Sequence, residues 1–428
     1  MGLFYICLTG LIKHKPNYQI CCRNIRNKSW WECVELGPPD AIFGLTEAWK
    51  KDTNPKKINL GVGAYRDDNG NPFLLPSVKK AENKLSNQKL DHEYAPIAGF
   101  AEFSKLAAEL VFGKNSYILE NKQNATVQTL SGTGALRLIA AFLAKFHTGH
   151  KVIYIPNPTW INHQRIFEHS GLESKYYNYY DSKNIALDFS NMTDNICNIP
   201  ENSIILFHAV AHNPTGIDPN KDQWKEISNI CKQRKLFVLF DLAYQGFASG
   251  NLNNDVWAVR YFAEEGHKIG IAQSFAKNMG LYGERVGALT LLTETTDETE
   301  RVISQLKILI RGMYSNPPIY GARIATEILS NKDLRFQWEK DLKEMSSRIK
   351  EARIALVDHL KKQGSKKNWN HIIQQIGMFS YTGLTKEQVG QLIKNFSIYL
   401  TESGRISIAA VGSKNVEYLA TAMHNVTK

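Results

Sequence analysis

Residues 273–278 of this chain read QSFAKN and follow an apolar run at positions 267–272. The length and composition of that run predict a buried strand that ends close to Ser274 and Lys277. A lysine just past such a strand suits Schiff-base chemistry, because desolvation and nearby cations lower the amine pKa and favour the neutral, nucleophilic form. A solvated loop lysine fits the same pattern, so the stretch alone leaves both interpretations open.

Strands and helices alternate through the middle of the chain, and polar residues follow several of the strands. Apolar runs at 152–155, 204–208, 236–240 and 287–292 read as further buried strands. This alternation predicts an α/β fold with a mainly parallel sheet and helices on both faces. Ligands of such sheets bind beyond the carboxyl ends of the strands. The candidates that could converge there are Trp160, His163, Asn213, Asp241, Tyr244, Ser274 and Lys277.

Two glycine-containing turns are candidate ligand contacts. At residues 125–139 a strand runs directly into SGTG at 131–134 and then into a helical segment. That arrangement points free backbone N–H groups at a phosphate, although an ordinary helix capped by serine or threonine explains it equally well. Gly63, in the turn that ends a predicted strand at 58–65, permits close approach of a ligand, and a plain tight bend is the alternative.

The composition is that of a large globular chain. Its 428 residues are 43% hydrophobic and 22% charged, which suggests two or three domains. No run approaches the roughly 18 apolar residues of a transmembrane helix, so none is predicted. The net charge of +11 includes no clustered basic block, so no nucleic-acid partner is expected. The six cysteines show no CxxC pair and no disulfide spacing, which favours a reducing compartment, and no metal site is expected.

Residues 1–28 are predicted to be a presequence. An apolar stretch at positions 2–8 precedes five basic residues, and the first acidic residue is Glu32. This pattern favours import into the mitochondrial matrix, with a cytoplasmic location as the alternative. Residues 29–40 are predicted to be an N-terminal arm, because adjacent Trp30 and Trp31 are costly in water and suit packing on another subunit.

Three short motifs and one arginine occur in a fixed order: NPTG at 213–216, DLAY at 241–244, SFAK at 274–277 and Arg405. Together they closely resemble the fold-type I aminotransferases, which use pyridoxal 5'-phosphate. Longer strings narrow the resemblance to the aspartate aminotransferases of the animal mitochondrial type, over a region from about residue 29 to the C-terminus. Those strings are GVGAYR at 61–66, SGTGAL at 131–136, KNMGLYGER at 277–285 and YSNPP at 314–318.

The resemblance implies a fold and a division into domains. The expected fold is α/β, that of the fold-type I pyridoxal phosphate transferases, with a mainly parallel seven-stranded sheet in a large domain. The large, cofactor-binding domain would span residues 73–344. Residues 41–72 together with 345–428 would form a smaller α+β domain.

The resemblance also implies roles around the cofactor. Lys277 would hold pyridoxal phosphate covalently and then carry the proton between the substrate Cα and the cofactor. Asp241 would pair with the ring nitrogen and keep it protonated, and Tyr244 would hydrogen-bond the ring oxygen. These three are the implied catalytic residues. The other residues implied to bind the cofactor are Ser131, Gly132, Thr133, Trp160, His163, Asn213, Ser274 and Arg285, with Tyr94 coming from the other subunit.

The implied substrates are dicarboxylates, with an amino group passing reversibly between L-aspartate and 2-oxoglutarate. Arg405 matches the family's ligand for the α-carboxylate, and Arg311 matches the ligand for the distal carboxylate, supplied by the neighbouring subunit. Sites shared in this way require a symmetric homodimer. The residues implied to bind substrate are Gly63, Trp160, Asn213, Arg311 and Arg405.

Some features keep other interpretations open. Ile161 and Gly312 stand where the family usually has glycine and proline, and Gly312 could loosen the neighbouring Arg311. An aromatic or kynurenine aminotransferase is one alternative, against which Arg311 argues. A membrane-associated, lipid-binding role without stable membrane insertion is the other, and the basic excess and the aromatic arm are its support.

Overall fold

The computed structural model describes residues 29–38 and 42–428, apart from the side chain of Phe43. The predicted presequence and the last two residues of the predicted arm lie outside the described residues. The chain divides into two units, Met1–Ala41 and Ile42–Lys428. Within the first unit, residues 29–38 contain a short turn in which the Val34 N–H donates to the Trp31 carbonyl oxygen at 3.0 Å.

Seven of the strands among the described residues form one central sheet. The thirteen strands are β1 (Ile58–Asn59), β2 (Asn124–Leu130), β3 (Val152–Asn157), β4 (Glu173–Asn178), β5 (Tyr180–Asp181), β6 (Ala186–Leu187), β7 (Ile204–His208), β8 (Phe237–Leu242), β9 (Gly270–Ser274), β10 (Val286–Leu292), β11 (Phe379–Tyr381), β12 (Ile398–Tyr399) and β13 (Arg405–Ser407). The order across the central sheet is β2-β10-β9-β8-β7-β3-β4. Six of its strands run in the same direction, and β10 runs opposite to them. The prediction of a mainly parallel seven-stranded sheet is therefore confirmed.

The central strands are buried on both faces, as a parallel sheet between two helical layers requires. All five residues of β7 are buried. Its Ile205 and Phe207 belong to one core cluster, whereas Ile204 and Leu206 belong to the other. Since side chains of a strand alternate between faces, the two clusters lie on opposite sides of the sheet. Continuous apolar runs in the sequence arise from this burial on both faces.

Sixteen α-helices occur among the described residues. They are α1 (Phe43–Lys51), α2 (Pro76–Ser86), α3 (Ala101–Phe112), α4 (Tyr117–Glu120), α5 (Ser131–Phe146), α6 (Asn162–Glu168), α7 (Phe189–Cys197), α8 (Lys221–Gln233), α9 (Leu252–Asp255), α10 (Trp257–Glu264), α11 (Thr296–Met313), α12 (Tyr320–Ser330), α13 (Lys332–Lys362), α14 (Asn370–Gln374), α15 (Lys386–Phe396) and α16 (Val416–Thr427). A 3-10 helix spans Ile408–Ala410. None of these helices combines the length and the apolar character needed to cross a bilayer.

The helical pattern predicted at residues 319–362 forms two helices, with a break at Asn331 as expected. The Asn331 side-chain oxygen accepts hydrogen bonds from the backbone N–H groups of Asp333 and Leu334. This contact satisfies two N–H groups that have no partner within α13, so Asn331 begins a new helix there.

Most predicted strands differ from the observed ones by one or two residues at an end, and two differ by more. The strand predicted at 58–65 ends at Asn59, because the Asn59 side-chain oxygen accepts a hydrogen bond from the Gly61 N–H at 3.0 Å and turns the chain. The strand predicted at 267–272 begins at Gly270 and continues to Ser274, because pairing with β10 extends that far. Lys277 therefore follows the strand end by three residues.

One small sheet joins parts of the chain that are distant in sequence, and another joins two strands that both follow the central sheet. β1 pairs in parallel with β12, and β11 pairs antiparallel with β13. Segments before and after the central sheet in the chain therefore pack together. The division into a large domain at 73–344 and a small domain at 41–72 with 345–428 stays a prediction.

Candidate active site

A cleft opens where β7, β8 and β9 end. The residues that line it are Ser131, Gly132, Thr133, Leu136, Trp160, His208, Asn213, Asp241, Ala243, Tyr244, Ser274, Lys277 and Arg285. Ten of them were proposed from the sequence as catalytic or cofactor-binding residues. They come from separate segments that meet only because parallel strands end at one edge of the sheet.

Lys277 lies in this cleft and is partly buried. Burial lowers the pKa of its amine, the negative charge of Asp241 opposes that shift, and the positive charge of Arg285 adds to it. Its Nζ lies 5.5 Å from the centroid of the Tyr244 ring. A lower pKa increases the neutral fraction of the amine, which is the form that attacks a carbonyl carbon. The position and the pKa together make Lys277 a candidate nucleophile.

Asp241 is a buried carboxylate near the end of β8. Burial alone would raise its pKa, but a hydrogen bond from His163 and the positive charge of Lys277 lower the pKa overall. His163 Nε2 lies 3.0 Å from Asp241 Oδ2. A carboxyl group with a lowered pKa is ionised at neutral pH. The cleft therefore contains a fixed negative charge that can hold a proton on the nitrogen of a bound ring.

The hydrogen bonds behind Asp241 form a chain, and the Asn213 backbone N–H sets its direction when both histidines are neutral. The Asn213 backbone N–H donates to His208 Nδ1 at 3.3 Å, so the proton of a neutral His208 lies on Nε2. Burial lowers the pKa of His208 to about 3, so His208 is neutral. His208 Nε2 then donates to Thr159 Oγ1 at 3.0 Å. The Thr159 hydroxyl donates to His163 Nδ1 at 2.8 Å, which leaves the His163 Nε2 proton for Asp241.

Thr159→Val is expected to lower kcat about tenfold, whereas Thr159→Ser keeps the hydroxyl and stays close to wild type. Valine matches threonine in shape but cannot bridge the two imidazoles, and a lost hydrogen bond of this kind costs about 1–1.5 kcal/mol. His163 is then no longer held as an Nε2 donor, so the Asp241 pKa rises and the acidic limb of the pH–kcat profile moves to higher pH. Profiles of all three proteins check this. Identical profiles for the valine and serine variants would contradict the bridging role.

The N-terminus of α5 borders the cleft. Ser131, Gly132 and Thr133 are its first three residues, and all three line the cleft. The N-cap is Leu130, and no side chain makes a capping hydrogen bond there, so the alternative of an ordinary Ser/Thr-capped helix is wrong. The Ser131 N–H donates to the Arg285 carbonyl oxygen at 3.1 Å, and the N–H groups that follow it in the first turn are available to an anion.

Two hydroxyls and one guanidinium complete a cradle for that anion. Ser131 Oγ and Ser274 Oγ lie 2.9 Å apart. A Cβ atom at Gly132 would lie 3.1 Å from Ser274 Cβ, so a larger residue at this position would crowd the cradle. Arg285 donates through Nη1 to the Tyr282 carbonyl oxygen at 2.9 Å and forms no ion pair with the described residues. Its remaining N–H groups suit a phosphate.

Arg405 supplies a second cationic group beside the cleft. It is 5% exposed, and burial lowers its pKa to about 10, so it stays charged at neutral pH. Its Nη1 donates to Asn213 Oδ1 at 3.1 Å, and its Nη2 donates to the Gly61 carbonyl oxygen at 2.6 Å. Since Asn213 lines the cleft, its hydrogen bond with Arg405 places the guanidinium at the edge of the cleft. A guanidinium held there can bind the carboxylate of an incoming acid.

Gly63 packs closely against the aromatic ring that covers Arg405. A Cβ atom at this glycine would lie 2.5 Å from Phe379 Cζ. The Phe379 ring centroid lies 4.3 Å from the Arg405 guanidinium carbon. The φ of Gly63 is not positive, so close packing explains this glycine better than a tight bend does.

The remaining predicted site residues do not line the cleft of this chain. His163 lies behind Asp241, which it contacts at 3.0 Å. Tyr94 is 81% exposed. Arg311 lies exposed in the last turn of α11, where it donates to the Ser315 hydroxyl. The two exposed residues are those expected to act in the site of a neighbouring subunit.

Three lining residues were not proposed from the sequence: Leu136, His208 and Ala243. His208 is the last residue of β7, so the position at a strand end that singled out Asp241 could have identified it too. Leu136 and Ala243 are apolar and carry no chemical signal in the sequence.

Comparison with known proteins identifies the class of enzyme to which this cleft belongs. Residues 55–423 match the family described as Aminotransferase class I and II, and the chain belongs to that family. The curated mitochondrial aspartate aminotransferase of Xenopus tropicalis is 57% identical over 403 residues, which covers 94% of each chain. The protein of the same name from Dictyostelium discoideum is 56% identical over 410 residues, with 95% and 96% covered.

Solved structures of aminotransferases have the same fold. The cytoplasmic aspartate aminotransferase of Saccharomyces cerevisiae superimposes with a TM-score of 0.91 at 44% identity, covering 93% of this chain and 98% of that one. An aromatic-amino-acid aminotransferase from Burkholderia pseudomallei, described as covalently bound to pyridoxal phosphate, gives 0.91 at 40% identity, with 94% and 100% covered. The α/β fold-type I architecture expected from the sequence is therefore confirmed.

Proposed function

We propose that this protein is an aspartate aminotransferase that uses pyridoxal phosphate in a ping-pong reaction. It would transfer the amino group reversibly between L-aspartate and 2-oxoglutarate, giving oxaloacetate and L-glutamate. One observation carries the proposal: Lys277, the ionised Asp241 and the anion cradle at the start of α5 line a single cleft. Curated relatives that are 55–57% identical over at least 94% of this chain are named as mitochondrial aspartate aminotransferases, which supports the same reaction.

The donor set in the cleft fits each end of pyridoxal phosphate. The N–H groups of α5 with Arg285 match its phosphate, Asp241 matches its ring nitrogen, and Lys277 matches its aldehyde carbon. Trp160 would cover a face of the ring, and Tyr244 would hydrogen-bond the ring oxygen. Once bound, the cofactor supplies an electron sink for the negative charge that develops on the substrate Cα.

Lys277 would act twice in the reaction. Its amine first holds the cofactor, since its lowered pKa makes the neutral nucleophile available. Once the incoming amino acid has released it, the same amine would take the proton from the substrate Cα and carry it to the cofactor carbon. Asp241 would hold a proton on the ring nitrogen. Its charge is maintained by the hydrogen bond from His163.

Two arginines would bind the two carboxylates of the substrate, one arginine for each carboxylate. Arg405, fixed by Asn213 and by the Gly61 carbonyl oxygen, would bind the α-carboxylate that every amino acid carries. Arg311 of the partner subunit would bind the distal carboxylate, which distinguishes aspartate from aromatic amino acids. A fixed guanidinium favours a carboxylate over an uncharged side chain because it makes two charged hydrogen bonds at once.

Arg311→Gln is expected to lower kcat/KM for aspartate at least about 100-fold, because two charged hydrogen bonds are worth about 3 kcal/mol or more. The kcat/KM for phenylalanine should change less than threefold, since that substrate has no distal carboxylate. Arg301→Gln is the matched control, because Arg301 is exposed on the same helix and its one ion pair with a described residue is with Asp297. Steady-state assays with both donors decide the point. An equal loss for both substrates would show that Arg311 does not read the distal carboxylate.

A homodimer with shared active sites follows from the same proposal. Tyr94 and Arg311 are exposed and lie outside the cleft of their own chain. Supplied by the partner subunit, Tyr94 would reach the phosphate and Arg311 the substrate. A two-fold symmetric interface would then complete both sites in the same way.

A mixture of two inactive variants is expected to regain activity if the sites are shared. Lys277→Ala and Arg311→Gln each damage both sites of their homodimers. In a mixed dimer one site combines the intact Lys277 of one chain with the intact Arg311 of the other. Random exchange of subunits should therefore restore about a quarter of wild-type activity. Activity that stays at the level of the separate homodimers would show that Arg311 serves its own chain.

Three further features belong to this proposal. Residues 73–344 would form the large, cofactor-binding domain, and residues 41–72 with 345–428 the small one. The protein would work in the mitochondrial matrix, and its mitochondrial relatives support import. Residues 29–40 would form an arm that packs on the partner subunit, which suits the exposure of Trp30 and Trp31.

A further inference from the structure

Arg353 is a buried cation in the middle of α13, outside the cleft. It is 2% exposed and forms no ion pair with any residue that the structure describes. Burial lowers its pKa to about 9, so it remains charged at neutral pH. A buried guanidinium without a carboxylate is costly unless its N–H groups find acceptors. Its contacts therefore indicate what it does for the protein.

All three hydrogen bonds of Arg353 go to backbone carbonyl oxygens of one segment, residues 372–379. Its Nη1 donates to the Ile372 oxygen at 2.9 Å. Its Nη2 donates to the oxygens of Gly377 at 2.8 Å and Phe379 at 2.6 Å. A planar guanidinium fixes the relative positions of its acceptors, so it determines the course of the backbone between α14 and β11.

The segment held by Arg353 is wedged against the turn that carries Asn213. The Ile376 N–H donates to the Gly216 carbonyl oxygen at 2.7 Å. Gly377 has a φ of +77°, and a Cβ atom there would lie 2.4 Å from Ala211 Cβ. No side chain other than hydrogen fits between the two backbones at this point. The segment therefore has one position relative to the turn.

At the end of this segment, Phe379 connects it to the substrate-binding arginine. Its ring centroid lies 4.3 Å from the guanidinium carbon of Arg405 and 6.1 Å from the ring of Tyr244. The tip of the ring is so close to Gly63 that a Cβ atom at this glycine would lie 2.5 Å from Phe379 Cζ. A shift of the Phe379 backbone would therefore move the ring against Arg405.

We propose that Arg353 is a positioning residue for substrate binding: by fixing the Phe379 carbonyl oxygen, it holds the Phe379 ring against Arg405 and so orients the guanidinium toward the α-carboxylate. The inference rests on the proposed aminotransferase function. The α-carboxylate is common to all amino-acid substrates. Loss of Arg353 should therefore weaken the binding of every amino donor, whereas loss of Arg311 should weaken the binding of dicarboxylic donors.

The test uses the full-length holoenzyme and the variants Arg353→Met, Arg353→Lys and Phe379→Leu. Arg353→Met should raise KM for aspartate and for phenylalanine by the same factor, about tenfold, which corresponds to about 1.4 kcal/mol of lost binding. The kcat should change less than about threefold. Lysine keeps a charged donor and should restore part of the binding. Lys350→Met, at an exposed position on the same helix, is the matched control and should leave KM unchanged.

A double variant separates positioning from a general loss of stability. If Arg353 acts through Phe379, then Arg353→Met adds less than about a twofold change to KM once Phe379 is leucine. A well-folded Arg353→Met protein with unchanged KM would overturn the proposal. A double variant whose increase in KM equals the product of the two single increases would overturn it as well. If the Arg353→Met protein fails to fold, the Phe379→Leu variant still tests the proposal, because this substitution breaks no hydrogen bond. The proposal requires Phe379→Leu to raise KM, and an unchanged KM would overturn it. A wild-type protein without turnover of aspartate would instead reject the proposed function.

Discussion

Lys277→Ala is expected to lower kcat for aspartate by a factor of about 10⁴ or more. The variant loses the nucleophile that holds the cofactor and also the base that moves the Cα proton, and a positioned base alone contributes about 10²–10⁴ in rate. Alanine leaves the backbone after β9 unchanged, so the fold and the cradle at α5 should persist. The measurement is single-turnover conversion of aspartate, together with the pH-dependent absorption of the covalently held cofactor, which should disappear.

A second lysine provides the control for that experiment. Lys268 lies before β9, is partly exposed, and pairs with Glu294 at 3.2 Å. Lys268→Ala should keep both the absorption and the turnover of the wild type. A Lys277→Ala protein that retained even a tenth of wild-type turnover would remove Lys277 from the chemistry.

Asp241→Asn is expected to lower kcat about 10³-fold. Asparagine has the same shape, but it lacks the charge that holds a proton on the cofactor ring nitrogen. An ion pair about 4 Å apart is worth about 4 kcal/mol at an effective dielectric constant near 20. Measurement of kcat with aspartate at saturating cofactor gives the effect, and the cofactor affinity should change much less because the phosphate cradle is intact.

The matched control for this variant is Asp222→Asn. Asp222 is an exposed residue of α8 that pairs with Lys225, so losing its charge should not affect turnover. An Asp241→Asn enzyme with wild-type kcat would show that the carboxylate charge is not required. The hydrogen-bond chain through His163 would then have a structural purpose only.

Much of the fold could be predicted because its signals are local in sequence. The buried runs before Asp241 and Lys277 are continuous and apolar, as strands buried on both faces must be. The polar residues after them then converge, since parallel strands end at one edge of the sheet. The strand before Lys277 was misplaced by a few residues, because its end depends on pairing with β10, and a single run does not reveal its partner.

The contacts that tune the site could not be predicted from the sequence. Thr159 and His208 are 49 positions apart, and only the structure shows that they share a hydrogen bond. Their bonding direction depends on the backbone N–H of Asn213, which has no residue-specific signal. Arg353 lies in a helix rich in charged residues, where a solvated side chain would be the ordinary expectation. Its burial and its three carbonyl contacts arise from tertiary packing alone.

The most direct test of the central claim is one coupled assay of the purified wild-type protein with 2-oxoglutarate as amino acceptor. Aspartate, phenylalanine and kynurenine are compared as amino donors under the same conditions. With Lys277 as the acting amine, and Arg405 and Arg311 reading two carboxylates, kcat/KM for aspartate should exceed that for either aromatic donor by at least about 100-fold. Equal kcat/KM values for the three donors would contradict the assignment.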